Sequence, residues 1–213
     1  MAERFVEEVG DSNRPGLLRR AALFLSLNGR TAEASAFVDR FLLAAPDSSQ
    51  SHATAGVVAL FAGEYQSAAR HLGHASELQS YPVGWQFVVA RLYSDYATLL
   101  GYTHLKTGDD DRAFRLFEET EQYYTERIAR GDTSFQARQG IAAVHALRGD
   151  REAAYDWLQQ AIDAGFYAYA ELERHPCFES LRGEERFQRM MDGVKTKVEE
   201  ARRRVGAMEV GGK

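Results

Sequence analysis

Residues 92–124, LYSDYATLLGYTHLKTGDDDRAFRLFEETEQYY, decide the fold. Tyr96, Leu99, Leu100 and Leu105 recur near helical spacing, and Gly101 sits among them where a close neighbour would leave no room for a side chain. KTGDDD then breaks the stripe, and Ala113, Phe114, Leu116, Phe117 and Tyr124 restart it. Two helices about one tight turn form an αα-hairpin, which cannot bury its apolar faces alone. The chain therefore has to supply further hairpins on both sides.

Working outward, the same plan recurs. Pro15 suits the first turn of a helix running to Asn28, and Asn28-Gly29 is a turn signal. Thr31 is the expected cap of a second helix, which Pro46 closes. Residues 50–62 and 65–79 make the next hairpin, turning at Gly63-Glu64 and ended by Pro82. The third pairs a long helix over 84–106 with one over 109–130, and the fourth pairs 133–148 with 151–164 about Gly149-Asp150. A short helix follows at 169–174, Pro176 resets the chain, and a last helix covers about 183–204. The expected organisation is a polar N-terminal segment 1–14, an array over 15–167 (units 15–48, 49–82, 84–131 and 133–167), capping helices over 168–205 and a frayed tail 206–213.

Internal periodicity supports an array. Gly29, Gly63, Gly108 and Gly149 mark four turns, and five residues after each stands Ala34, Ala68, Ala113 or Ala154. Seven residues before each stands Ala22, Gly56, Gly101 or Ala142. Small residues in both slots let the two helices of a hairpin cross closely. Val38, Leu72, Phe117 and Leu158 follow four positions after the alanines and face along the stack. Each unit then stacks on its neighbours to make one continuous core.

These residues resemble the tetratricopeptide repeat, a helical hairpin of about 34 residues with small residues at its crossing and proline at its end. The first unit matches at Ala22, Leu25, Ala34, Val38, Phe41 and Pro46, and the second at Gly56, Ala68, Leu72 and Ala75. The third and fourth match at Gly101, Ala113 and Phe117, and at Ala142, Ala154 and Leu158, with turn spacings stretched to 45 and 41 residues. The closing segment GFYAYAELERHPCFESLRGEERFQRMM is similar to the one that ends many bacterial arrays of this family, at Pro176, Phe178, Leu181, Arg182, Arg186 and Phe187. Phe178, Leu181 and Phe187 would seal the core there. The resemblance implies an all-α, right-handed solenoid of four hairpins whose first helices line a concave face. It also implies a scaffold that binds a protein or peptide, with no enzymatic activity.

Other classes find little support. Hydrophobic residues are 45% and charged residues 27% with a net charge of -5, so no basic surface for nucleic acid is expected. No window approaches the roughly 18 apolar residues of a membrane span. LLRRAALFLSL carries an arginine pair and leads into more helix, so it does not read as a secretory leader. A cytoplasmic location is the expectation. The one cysteine, Cys177, rules out an internal disulfide framework and has no evident partner base.

No cofactor or metal is expected. His71 and His74 can share a helical face, but a metal needs more ligands, and neither HExxH nor CxxC is present. Asp109, Asp110 and Asp111 lack EF-hand spacing and stand where a helix begins, which favours a capping role. His104 and His145 occupy equivalent places on the first helices of units three and four. Tyr81, Trp85, Phe87, Tyr93, Tyr96 and Tyr102 crowd the helix expected over 84–106 and its approach and exceed what one apolar stripe requires, so some are expected to face a groove. The candidate contacts are Arg19, Trp85, Tyr96, Tyr102, His104, Gln139 and His145. Family members that grip acidic C-termini line their first helices with lysine, asparagine and arginine. Here the corresponding pairs are Arg19 and Leu23, Ala53 and Val57, Thr98 and Tyr102, Gln139 and Ala143, which is no carboxylate clamp. An apolar or mixed groove, or self-association through it, fits better. The alternatives are a regulatory or C-terminal module of a larger enzyme or signalling assembly, and a homo-oligomer.

Overall fold

The computed structural model describes residues 9, 12, 14–78, 86–89 and 92–211. Helices α1 (Pro15–Leu27) and α2 (Thr31–Ala44) form the first hairpin, α3 (Ser49–Phe61) and α4 (Tyr65–Leu78) the second. Strands β1 (Gln86–Val89) and β2 (Leu92–Asp95) follow, then the third hairpin, α5 (Tyr96–Thr107) with α6 (Asp110–Ala129). The fourth is α7 (Phe135–Arg148) with α8 (Arg151–Asp163), and the chain closes with α9 (Tyr169–Leu172), a 3₁₀ helix (Pro176–Leu181) and α10 (Glu185–Gly211).

Each hairpin turn uses one device. Gly29, Gly63, Gly108 and Gly149 adopt φ of 77°, 78°, 81° and 86°, a left-handed conformation that costs other residues about 1–2 kcal/mol. The amide that follows donates back to the carbonyl five residues earlier: Arg30 to Leu25, Glu64 to Ala59, Asp109 to His104 and Asp150 to His145, each at 2.9 Å. This closes the first helix in a Schellman motif before the second begins.

The chain forms two compact units, 1–123 and 124–213, so α6 contributes to both. In the first, α1 packs on α2, α2 on α3, α3 on α4 and α4 on α5, while β1 lies against α1. The small α3, SQSHATAGVVALF, is buried from Ser51 to Leu60 on nearly every side, as the centre of a stack demands. Val9 joins Leu18, Ala21, Ala22, Leu25, Ala34 and Phe41 in one apolar cluster. In the second unit α7 packs on α8 and on the 3₁₀ helix, and α10 meets α8 and α9.

Four expectations need correction. Residues 86–95 are not the start of a long helix: Gln86 pairs with Asp95 and Val89 with Leu92 in an antiparallel ladder, and helix begins only at Tyr96. Phe87, Val88, Val89 and Tyr93 are aromatic or β-branched residues that favour extended backbone. Thr31 does not cap α2; it is the helix's first residue, preceded by Arg30 with no side-chain cap. Helix α7 starts at Phe135, two residues late, after Ser134 in an extended conformation. The final helix continues to Gly211, past the tail expected to fray from 206.

Candidate functional site

The contact residues expected on the first helices fall into three groups. Trp85 lies outside the described residues. Tyr96 and Tyr102 are buried, at 1% and 5% exposure. Burial raises the Tyr96 phenol well above the usual range. Tyr102 meets Tyr65 edge-on at 6.2 Å, and the Lys106 ammonium lies over both rings, 5.3 and 5.8 Å from their centroids. These aromatics join α4 to α5. Arg19 and Gln139 are different. Arg19 is half-buried and its Nε has no hydrogen-bond partner; Gln139 is 3% exposed and its Oε1 has none. Neighbouring first-helix positions Leu23, Ala53, Val57, Thr98 and Ala143 are buried too.

His104 and His145 serve the turns. Each stands at the head of the sequence His-x-x-x-Gly-Asp. His104 Nδ1 lies 3.7 Å from Asp109 Oδ2, and His145 Nδ1 3.4 Å from Asp150 Oδ2. Asp109 Oδ1 also accepts the Arg112 amide at 3.4 Å, the capping role that its position implied. Burial lowers the pKa of His104, Asp109 opposes that shift, and Arg112 reinforces it.

The C-terminal segment seals the second unit. Pro176, Phe178, Leu181 and Phe187 are buried, with Phe178 against the His175 ring at 5.3 Å. Arg182 donates to the His175 carbonyl at 2.7 Å. Arg186 stacks over Tyr155 at 4.4 Å and pairs with Glu152 at 2.6 Å and Asp156 at 3.4 Å. Tyr155 donates to Glu184 at 2.9 Å, and burial with that carboxylate pushes its pKa up to about 12.

The eight small repeat positions decide the fold type. Ala22, Ala34, Ala68, Ala113, Ala142 and Ala154 are fully buried. At Gly56 an added Cβ would lie 2.6 Å from Leu72 Cγ, and at Gly101 it would collide with the Phe117 ring. Both pairs are 16 residues apart, as are Ala22 and Val38, and Ala142 and Leu158. The hairpins are tetratricopeptide-like. No family model matches the chain, and no curated protein does. Among solved structures, the chain is similar to MamA at 19% identity, over 76% of this chain and 85% of that one, with a TM-score of 0.46. It is also similar to YrrB, described as a TPR protein with an unusual peptide-binding site, at 16% identity over 91% and 92% of the two chains, with a TM-score of 0.43.

The tetratricopeptide-like units hold one arrangement that sequence reasoning missed. His52 on α3 meets both histidines of α4: its Nδ1 is 3.1 Å from His71 Nδ1, and its ring centroid is 4.4 Å from that of His74. The signal lay in the crossing register. His52 stands one turn before Gly56, and His71 adjoins Leu72, the residue that Gly56 meets. Cys177 does have a histidine nearby, yet His175 Nδ1 accepts the Cys177 backbone amide at 3.2 Å, so that nitrogen does not serve as a base toward the thiol. Among the described residues no helix is long and apolar enough to cross a membrane.

Proposed function

We propose that the chain is a protein-interaction scaffold, acting in the cytoplasm, whose partner docks along the first helices of the hairpins. The observation that carries this reading is that each compact unit holds an unsatisfied polar atom on a first helix, Arg19 Nε on α1 and Gln139 Oε1 on α7. Buried polar groups in native proteins are nearly always paired, and each exception calls for an explanation. A peptide main chain offers both kinds: a carbonyl for the Arg19 N–H and an amide for the Gln139 oxygen. His104 and His145 stand beside the turn aspartates, and Tyr96 is buried, so they contribute through the scaffold's shape.

The test is affinity capture from host lysate with the wild-type chain, Arg19→Ala and Gln139→Ala side by side, each checked for helix content and melting temperature. Both variants should lose a partner that the wild type retains, by about fivefold or more, the scale of a buried hydrogen bond. A partner held equally by all three would remove the proposed surface. Light scattering on the same samples separates self-association: a dimer lost in both variants would make the partner a second copy.

A further inference from the structure

The histidine cluster between α3 and α4 has the geometry of a ligand set. His52 Nε2 lies 2.9 Å from the Pro46 carbonyl, which only accepts, so Nε2 carries the proton and His52 Nδ1 presents a lone pair. That lone pair faces His71 Nδ1 at 3.1 Å. Two nitrogens bound to one tetrahedral zinc ion at about 2.0–2.1 Å are roughly 3.3 Å apart, so the observed separation is close to that of a chelating pair. The surroundings repeat the pattern of metal-bound imidazoles, whose second nitrogen is held by a carbonyl or carboxylate. Pro46 does this for His52, and Glu77 does it for His74, with Oε2 3.3 Å from Nδ1. His74 Nε2 is thereby left as its ligand atom.

We propose that His52, His71 and His74 bind a divalent first-row transition-metal ion, zinc in the first instance, through Nδ1, Nδ1 and Nε2. Imidazole nitrogens suit zinc, copper and nickel. The His71 proton now shared between the two Nδ1 atoms moves to its own Nε2, so the neutral pair binds the cation without net proton release. Among the described residues no three such side chains already converge on one point. Two nitrogens are in place, and the third arrives by rotation of His74 together with the Glu77 that holds its Nδ1; the two side chains are 47% and 78% exposed. The ion would tie α3 to α4 and, through Pro46, to the segment arriving from the first hairpin.

The experiment uses the full chain without an affinity tag, stripped of metal with chelator and titrated with zinc sulfate by calorimetry at pH 7.5. One ion per chain should bind, and the melting temperature should rise with zinc. His52→Ala and His71→Ala should each weaken binding about tenfold or more, while His104→Ala leaves it unchanged. Cobalt(II) added to the unmutated chain should give the visible bands of tetrahedral nitrogen coordination, a readout that does not depend on any variant folding. Absence of zinc binding at submillimolar concentration, or an affinity in the His52→Ala and His71→Ala variants unchanged from that of the unmutated chain, overturns the site. Unchanged affinity in His74→Ala overturns the three-ligand assignment.

Discussion

The third and fourth hairpins share a turn and differ in almost everything that packs against it. Both close with His-x-x-x-Gly-Asp, a left-handed glycine and an imidazole beside the aspartate. Yet the third crosses at Gly101 beneath the Phe117 ring, and the fourth fills that slot with Ala142. The fourth is sealed by the 3₁₀ segment around a buried His175, whereas a strand pair leads into the third. Turns are written locally, within six residues. Crossings and closures answer to neighbours distant in sequence, and there the hairpins diverge.

Acid should separate the two most strongly. Burial, aided by the Arg182 cation, lowers the pKa of His175 to about 3, well below the 6.5 of an exposed imidazole. The unfolded chain therefore takes up a proton between pH 6.5 and about 3 that the fold refuses. Stability from the neutral ring is complete above pH 6.5 and declines as pH falls, by roughly 3 kcal/mol at pH 4. Hydrogen exchange across this range should show the cap and α7 loosening, and His175→Gln should flatten the dependence in that region. An unchanged profile in the variant would break the argument.

Exchanging the crossing residues is the next test. Gly101→Ala should cost about 1–3 kcal/mol in chemical denaturation, because the ring of Phe117 has to yield to the new methyl. Adding Phe117→Leu should recover part of that loss. If Gly101→Ala alone stabilises the chain, the helix-propensity gain of alanine exceeds the clash and the crossing is looser than it looks. Ala142→Gly is the mirror image and the smallest effect. It should cost about 1 kcal/mol, the helix propensity of the methyl, measurable as a modest drop in melting temperature.

Much of this architecture was legible because it follows from local rules. The glycine turns and the slots at Ala34, Ala68, Ala113 and Ala154 recur at fixed offsets, and the sealing residues Phe178, Leu181 and Phe187 share one segment. The strand pair was not legible. Extending the stripe of Tyr96, Leu99 and Leu100 backwards made 84–106 look helical, although Phe87, Val88 and Val89 favour extended chain. That error also created the apparent surplus of aromatics. With helix starting at Tyr96, α5 carries only Tyr96 and Tyr102, and both fit the interior. The histidine cluster was hidden because His52 and His71 are 19 residues apart on different helices. Gln139 and Arg19 were named on position alone; that the chain leaves their buried atoms unpaired depends on packing that no spacing encodes.

Cys177 gives the closed end of the second unit a built-in clock. It is the chain's one cysteine, it is 1% exposed, and it sits between His175 and Phe178 within the seal. A thiol-specific reagent can reach it only when that segment lifts. Its labelling rate therefore counts openings of that seal, without any introduced probe and without interference from a second thiol.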